Sequence, residues 1–263
     1  MALRVNDFFN FLDTIAPLKI AEERDVNGLQ IGSLLDPVKG VLLAVDPSLS
    51  ALQEADKRGF NLVITHHPLF YHPLTQIDRD TLQGKIISFA IERKINLLSW
   101  HTPLDKLTFG VSTTLAQKLG WETENFVIQE KEGVGWGRIV KFQNYVKLGN
   151  LAEEIKEKLK TWVMLVGDAQ EEINSLALCG GSGGFLKEHL KKLGLNTLLT
   201  SDVKYHLAKD SLQEGFNFII IDHGLGESFV LEVLKEKIDA HIREIGFFIP
   251  VEIYLERSPY QLI

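Results

Sequence analysis

Apolar residues along this chain fall mainly into short unbroken runs separated by amphipathic stretches. Val41-Leu42-Leu43-Ala44-Val45, Leu62-Val63-Ile64-Thr65, Leu97-Leu98-Ser99-Trp100, Leu176-Ala177-Leu178-Cys179, Thr197–Thr200 and Phe218-Ile219-Ile220-Ile221 have the length of strands. They show little polar alternation, which predicts strands buried on both faces. Helical spacing lies between them. Phe8, Phe11, Leu12 and Ile15 share one face of a first helix, capped by Asn6 or Asp7. Ser48 caps a second that runs through Lys57 and stops before Gly59, and a third spans residues 82–93. Others cover 110–119, closed by Gly120, then the stretch up to Leu193, 205–212 and 227–242.

Strand and helix alternating in units of about 30 residues predict parallel sheets covered by helices, an α/β protein. The middle of the chain differs. Residues 126–128 and 136–142 read as an antiparallel pair around a turn at Lys131-Glu132-Gly133, followed by a Glu- and Lys-rich helix over 148–159. The expected organisation is an N-terminal α/β half over 1–121, a small connecting subdomain over 122–175 and a C-terminal α/β half over 176–263, together one compact unit. The halves are read as similar, with mostly parallel strands and a site at the strand C-terminal ends between them. The run over 247–255 reads as an edge strand.

Composition narrows the class. At 263 residues, 45% hydrophobic and 24% charged, the chain has the make-up of an ordinary globular protein. A net charge of −7 disfavours general nucleic-acid binding, which needs a basic face, but leaves room for a small anion at a local positive centre. The single cysteine, Cys179, allows no disulfide within the chain. The first residues lack the apolar run of a signal peptide and no stretch reaches membrane-spanning length, so a cytoplasmic location is expected.

Three of the buried runs end in histidine: at His66-His67, at His101 and at Asp222-His223. Ligands of open parallel sheets sit beyond the carboxyl ends of strands, where residues distant in sequence converge. Carboxylates follow closely at Asp105 and Glu227. Imidazole with carboxylate suits zinc, iron, manganese, cobalt or nickel. His66 and His67 are adjacent, and at a strand end each can serve one of two neighbouring ions, with Asp105 or Glu227 bridging. Three neutral histidines and two carboxylates leave two divalent ions with surplus positive charge, which attracts an anion. Two such ions would also lower the pKa of a bridging water toward neutrality.

Other features have two readings. Gly180-Gly181-Ser182-Gly183-Gly184 presents backbone amides to a phosphate, or is only a tight strand-to-helix turn; it matches neither common phosphate-loop spacing. Cys179 lies inside an apolar strand and is a poor nucleophile. His206 follows a strand end and is a candidate for supporting a ligand, whereas His189 and His241 belong to helix surfaces. His72 is placed at the mouth of a pocket.

These residues carry a resemblance. Asp25-Val26-Asn27-Gly28-Leu29-Gln30, Ile64-Thr65-His66-His67-Pro68-Leu69-Phe70, His101-Thr102-Pro103-Leu104-Asp105, Leu178-Cys179-Gly180-Gly181-Ser182-Gly183, Ser201-Asp202-Val203-Lys204-Tyr205-His206, and Asp222-His223 with Glu227 follow one another in family order. The chain resembles the short bacterial form of the dinuclear-metal proteins named after the NGG-one-interacting factor three, often labelled GTP cyclohydrolase I type 2 homologues. The resemblance implies two metal ions on His66, His67, Asp105, His223 and Glu227, and a homohexamer. Ser201, Gly224, Gly226 and His72 depart from the residues frequent in that family, and none of them is an implied ligand.

Two functions follow as expectations. One is a metal-dependent hydrolase acting on an anionic, nucleotide-like substrate, with His101 and His206 as candidate acid–base groups. The other is a non-catalytic metal-binding oligomer in metal trafficking or regulation.

Overall fold

The computed structural model describes residues 2–261. Its first part runs through α1 (Val5–Ile15), β1 (Gly28–Ile31), β2 (Val41–Ala44), α2 (Leu49–Lys57), β3 (Leu62–Thr65), α3 (Leu82–Arg93), β4 (Asn96–Ser99) and the single turn α4 (Thr102–Asp105). Then come α5 (Val111–Leu119), β5 (Phe126–Lys131), β6 (Val134–Lys147), α6 (Leu148–Leu159), β7 (Val163–Val166), β8 (Glu172–Leu178) and α7 (Lys187–Lys192). The rest is β9 (Thr197–Thr200), α8 (Tyr205–Gln213), β10 (Asn217–Ile221), α9 (His223–Ser228), α10 (Val230–Glu244) and β11 (Val251–Ile253). By internal contacts the chain forms two units. One comprises the chain up to Leu104 with Leu231–Arg257, the other Asp105–Val230 with the tail from Ser258.

The first unit is built on a five-stranded sheet in the order β1-β4-β3-β2-β11. β11, β2, β3 and β4 are parallel, and β1 closes the edge antiparallel to β4. The apolar runs behave as expected of strands covered on both faces: every residue of β2, β3 and β4 is buried. Leu42, Val63 and Leu97 meet Leu52 and Ala55 of α2 and Ile86, Ile87 and Ala90 of α3 in one core. Trp100, fully buried just past β4, donates its indole N–H to the Ala16 carbonyl at 2.7 Å. β11 is an edge strand, shorter than the 247–255 run read from the sequence.

The helix starts follow local capping chemistry. Ser48 accepts the Ala51 N–H at 3.0 Å, the cap expected for α2, and its hydroxyl also meets Glu256. Ser48→Ala is expected to remove about 1 kcal/mol and to lower the Tm by ~2–4 °C in calorimetry. α1 begins earlier than the sequence suggested. Asp7 sits in its first turn, where the carboxylate accepts the Arg4 N–H at 2.7 Å, so Asp7 acts from inside the helix.

The second unit carries a six-stranded sheet ordered β5-β6-β8-β9-β10-β7. Its centre, β8, β9 and β10, is parallel; β5, β6 and β7 join antiparallel at the two sides. Leu115, Leu119, Leu151, Ile155, Leu178, Leu199 and Ile219 form a core on one face, and Leu186, Leu190, Leu198, Phe216, Phe218 and Ile220 on the other. The α/β reading of the sequence thus holds, with antiparallel strands added at the sheet margins. Among the described residues no helix is long and apolar enough to cross a membrane.

Candidate metal centre

Register decides which side chains meet in the first unit. Ala44, Thr65 and Ser99 stand side by side at the ends of β2, β3 and β4. Two residues further along, the three strands place Asp46, His67 and His101. Main-chain pairing continues past the strand ends: His66 N donates to Ala44 O at 3.1 Å, His67 N to Val45 O at 2.8 Å and Trp100 N to Thr65 O at 2.8 Å. The imidazoles of His66, His67 and His101 consequently pack together, with ring centroids 5.1 to 5.5 Å apart. One nitrogen from each lies within 4.8 Å of the others, close enough to hold one ion.

Each ring is held from behind. His67 Nδ1 meets Asp46 Oδ1 at 2.8 Å, His101 Nδ1 meets Asp25 Oδ1 at 2.7 Å, and His66 Nδ1 faces the Trp100 carbonyl at 3.3 Å. An acceptor on Nδ1 fixes the proton there and presents Nε2 as the electron-pair donor, the arrangement usual for metal-ligating histidines. Asp25 is the most elaborate of these supports. It accepts from Thr102 N at 3.0 Å, Thr102 Oγ1 and Asn27 Nδ2 besides His101, while Asn27 Oδ1 accepts the His101 N–H at 2.7 Å. Burial pushes the Asp25 carboxyl up, but hydrogen bonds from His101, Thr102 and Asn27 and the His101 charge outweigh it and hold Asp25 well below the usual carboxylate range.

The second unit repeats the theme. β10 ends in Asp222, whose Oδ1 accepts the Leu225 N–H at 2.9 Å and so caps α9. That cap starts the helix at His223 and sets His223 and Glu227 one turn apart on one face. His223 Nε2 lies 3.1 Å from Glu227 Oε1, and His223 Nδ1 lies 2.5 Å from Asp202 Oδ2, just past β9. With Nδ1–H given to Asp202, Nε2 and the carboxylate oxygen oppose two lone pairs at that distance. Such a pair demands positive charge between them, from a proton or a metal ion, so the donor set fits a divalent cation. Burial first, then the charge of Asp105 and, less, that of Glu227, push the Cys179 thiol up and leave it a poor nucleophile.

Of the residues singled out from the sequence, His66, His67 and His101 come together in the first unit, and His223 and Glu227 in the second, while Asp105 ends the single turn α4. His206 is in none of the donor clusters among the described residues; its ring meets Tyr205 on α8. His72 lines an apolar hollow of about 300 Å³ with Val26, Phe70, Pro73 and Leu74. The supporting role of Asp25, Asp46 and Asp202 was not read from the sequence. For Asp46 and Asp202 a signal exists, since each lies two residues past a buried strand, the same offset as His67, His101 and His223.

The family model described as Duf34/NIF3 (NGG1p interacting factor 3) matches residues 3–259. A Clostridium perfringens protein named GTP cyclohydrolase 1 type 2 homolog is 32% identical over 270 residues, spanning 99% of this chain and 100% of the relative. A Clostridium acetobutylicum protein of the same name is 30% identical over 257 residues, 95% of each chain. The crystal structure of a Staphylococcus aureus hypothetical protein aligns with a TM-score of 0.92 at 28% identity, covering 100% of both chains. That of a Bacillus cereus protein related to NIF3 aligns with 0.91 at 22% identity over 99% of each, a likeness of fold alone.

Proposed function

Because this chain belongs to the Duf34/NIF3 (NGG1p interacting factor 3) family, we propose that it is a dinuclear-metal hydrolase acting on an anionic, nucleotide-like substrate. In this reading His66, His67, Asp105, His223 and Glu227 hold two divalent ions, drawn from zinc, iron, manganese, cobalt or nickel. The observation that supports it best is the recurrence of carboxylate-backed imidazoles among the proposed ligands: His67 on Asp46 and His223 on Asp202. The relatives' name, GTP cyclohydrolase 1 type 2 homolog, supports a nucleotide as substrate. The reading also takes the protein as a homohexamer of the cytoplasm.

Bound ions of this kind supply Lewis acidity and acidify water toward neutral pH. The chain supplies the rest. Asp46, Asp25 and Asp202 keep protons on the Nδ1 atoms, so the Nε2 atoms are oriented before anything binds. His101 lies outside the proposed ligand set yet packs on His66 and His67, with its proton fixed at Nδ1 by Asp25. We assign it proton transfer at Nε2.

Elemental analysis after reconstitution is expected to find about two ions per chain. Turnover of nucleotides and other phosphate esters is expected to require the metal and to rise with pH through the neutral range. His101→Gln separates its roles on one preparation. Full metal content with turnover reduced ~10²–10⁴-fold supports proton transfer. A loss of metal makes His101 part of the metal site instead. Two bound ions with no metal-dependent turnover of any such substrate favour a metal-carrying or regulatory protein.

A further inference from the structure

The glycine run after β8 abuts the His223–Glu227 pair. Gly181 has φ +67°, and a Cβ on it would stand 2.2 Å from Glu227 Oε1 and 3.5 Å from His223 Nε2. Only a residue without a side chain lets the main chain approach the pair so closely. Its neighbour Ser182 donates its hydroxyl to Asp202 Oδ2 at 2.9 Å, the same oxygen that meets His223 Nδ1. Asp202 itself has φ +52°, in the left-handed region that residues with a Cβ rarely adopt and that clusters at functional sites.

Hydrogen bonds hold that conformation. Gly181 O accepts from Ser201 N at 2.9 Å and from Thr200 Oγ1 at 2.8 Å, tying the loop to the end of β9 directly before Asp202. Gly183 N donates to Thr200 Oγ1 at 2.7 Å, so this amide is used inside the loop and is not presented to a phosphate. Of the two readings the sequence left open for the glycine run, the geometry favours a turn, but one with a task.

We infer that the Gly180–Gly184 loop and Asp202 form a positioning device for the donor pair. Gly181 makes room for the Glu227 carboxylate, Ser182 steadies Asp202, and Asp202 sets the tautomer and direction of the His223 ring. Asp202 is a positioning residue, not a ligand. The purpose of the device rests on the metal-binding reading; the positioning is a property of the chain alone and is measured without metal.

The test uses three variants of the full chain. Asp202→Gly removes the carboxylate but suits φ +52°, so circular dichroism and Tm should show a folded protein. Asp202→Asn also tolerates the left-handed region and keeps an oxygen acceptor for Nδ1–H. Gly181→Ala intrudes on Glu227. In chelator-treated wild type, where a proton takes the place of the ion between Nε2 and Glu227, ¹⁵N NMR of the histidines should show the His223 ring locked with a proton held at Nδ1; Asp202→Gly should release that proton and Asp202→Asn should retain it. Zinc titration against a chromophoric chelator should show Asp202→Gly and Gly181→Ala binding one ion ~10–100-fold more weakly, with Asp202→Asn less affected. A folded Asp202→Gly protein with His223 still locked, or with wild-type zinc affinity, overturns the inference. A wild type that binds no zinc while Asp202→Gly still unlocks His223 overturns the metal reading and supports the positioning.

Discussion

Replacing His66 and His223 together by alanine is expected to abolish stoichiometric metal binding while the chain stays folded. His66 is 1% exposed, so its loss leaves a small gap and frees the Trp100 carbonyl it faces. That costs roughly 1–3 kcal/mol. His223 is partly exposed at the start of α9, whose cap is Asp222, so its loss costs little. A domain stable by ~5–15 kcal/mol tolerates the sum. Metal binding has no such reserve. Loss of a group that only orients a ligand weakens binding ~10–100-fold. Removing a ligand from each donor set must exceed that. Elemental analysis beside a thermal melt checks both halves of the expectation; a folded double variant that keeps two ions would refute the ligand assignment.

The largest loss of stability is expected from Asp25→Ala, measured on chelator-treated protein. Its side chain is 6% exposed and accepts from His101, Thr102 and Asn27. Alanine leaves those donors facing a void, a cost of about 3–5 kcal/mol at neutral pH. The pH dependence has a definite sign. Asp25 is depressed in the folded state, so its contribution is fully present above the unfolded carboxylate value near ~4 and is lost as pH falls toward the lower folded value. The stability gap between wild type and variant should therefore be widest near neutrality and narrow below about pH 4. Urea midpoints at pH 7 and pH 3 measure it; equal midpoints at pH 7 would show that the Asp25 hydrogen bonds carry no net stability.

What the sequence disclosed was set by how local each signal is. α3 over Leu82–Arg93, α6 over Leu148–Leu159 and β9 over Thr197–Thr200 coincide with the expected spans, because periodicity and capping lie within each segment. β1 and β7 went unread. Both have four residues and exist through antiparallel pairing with β4 and β10, partners far away in sequence. The expected helix over 227–242 is two helices, α9 and α10. In the sequence pattern Asp222 marks the end of a strand; its carboxylate also starts α9 at His223. The histidines were legible because buried strands point at them. Asp25 follows no strand and was not; Asp46 and Asp202 share the strand-end position, but which imidazole each backs depends on strand register and loop path, neither of which is written locally.

The equal offset of Asp46, His67 and His101 beyond paired Ala44, Thr65 and Ser99 bears on how this sequence can change over time. Side chains alternate between sheet faces with a period of two. One residue inserted or deleted inside β2, β3 or β4 would slide its terminal residue out of the row and turn it to the opposite side. A substitution among Leu42, Val63 and Leu97 costs packing alone. These strands therefore act as a ruler: descendants of this chain are free to exchange one aliphatic residue for another there, while the number of residues stays fixed and length variation is displaced into the connections, such as the long one between His67 and Leu82.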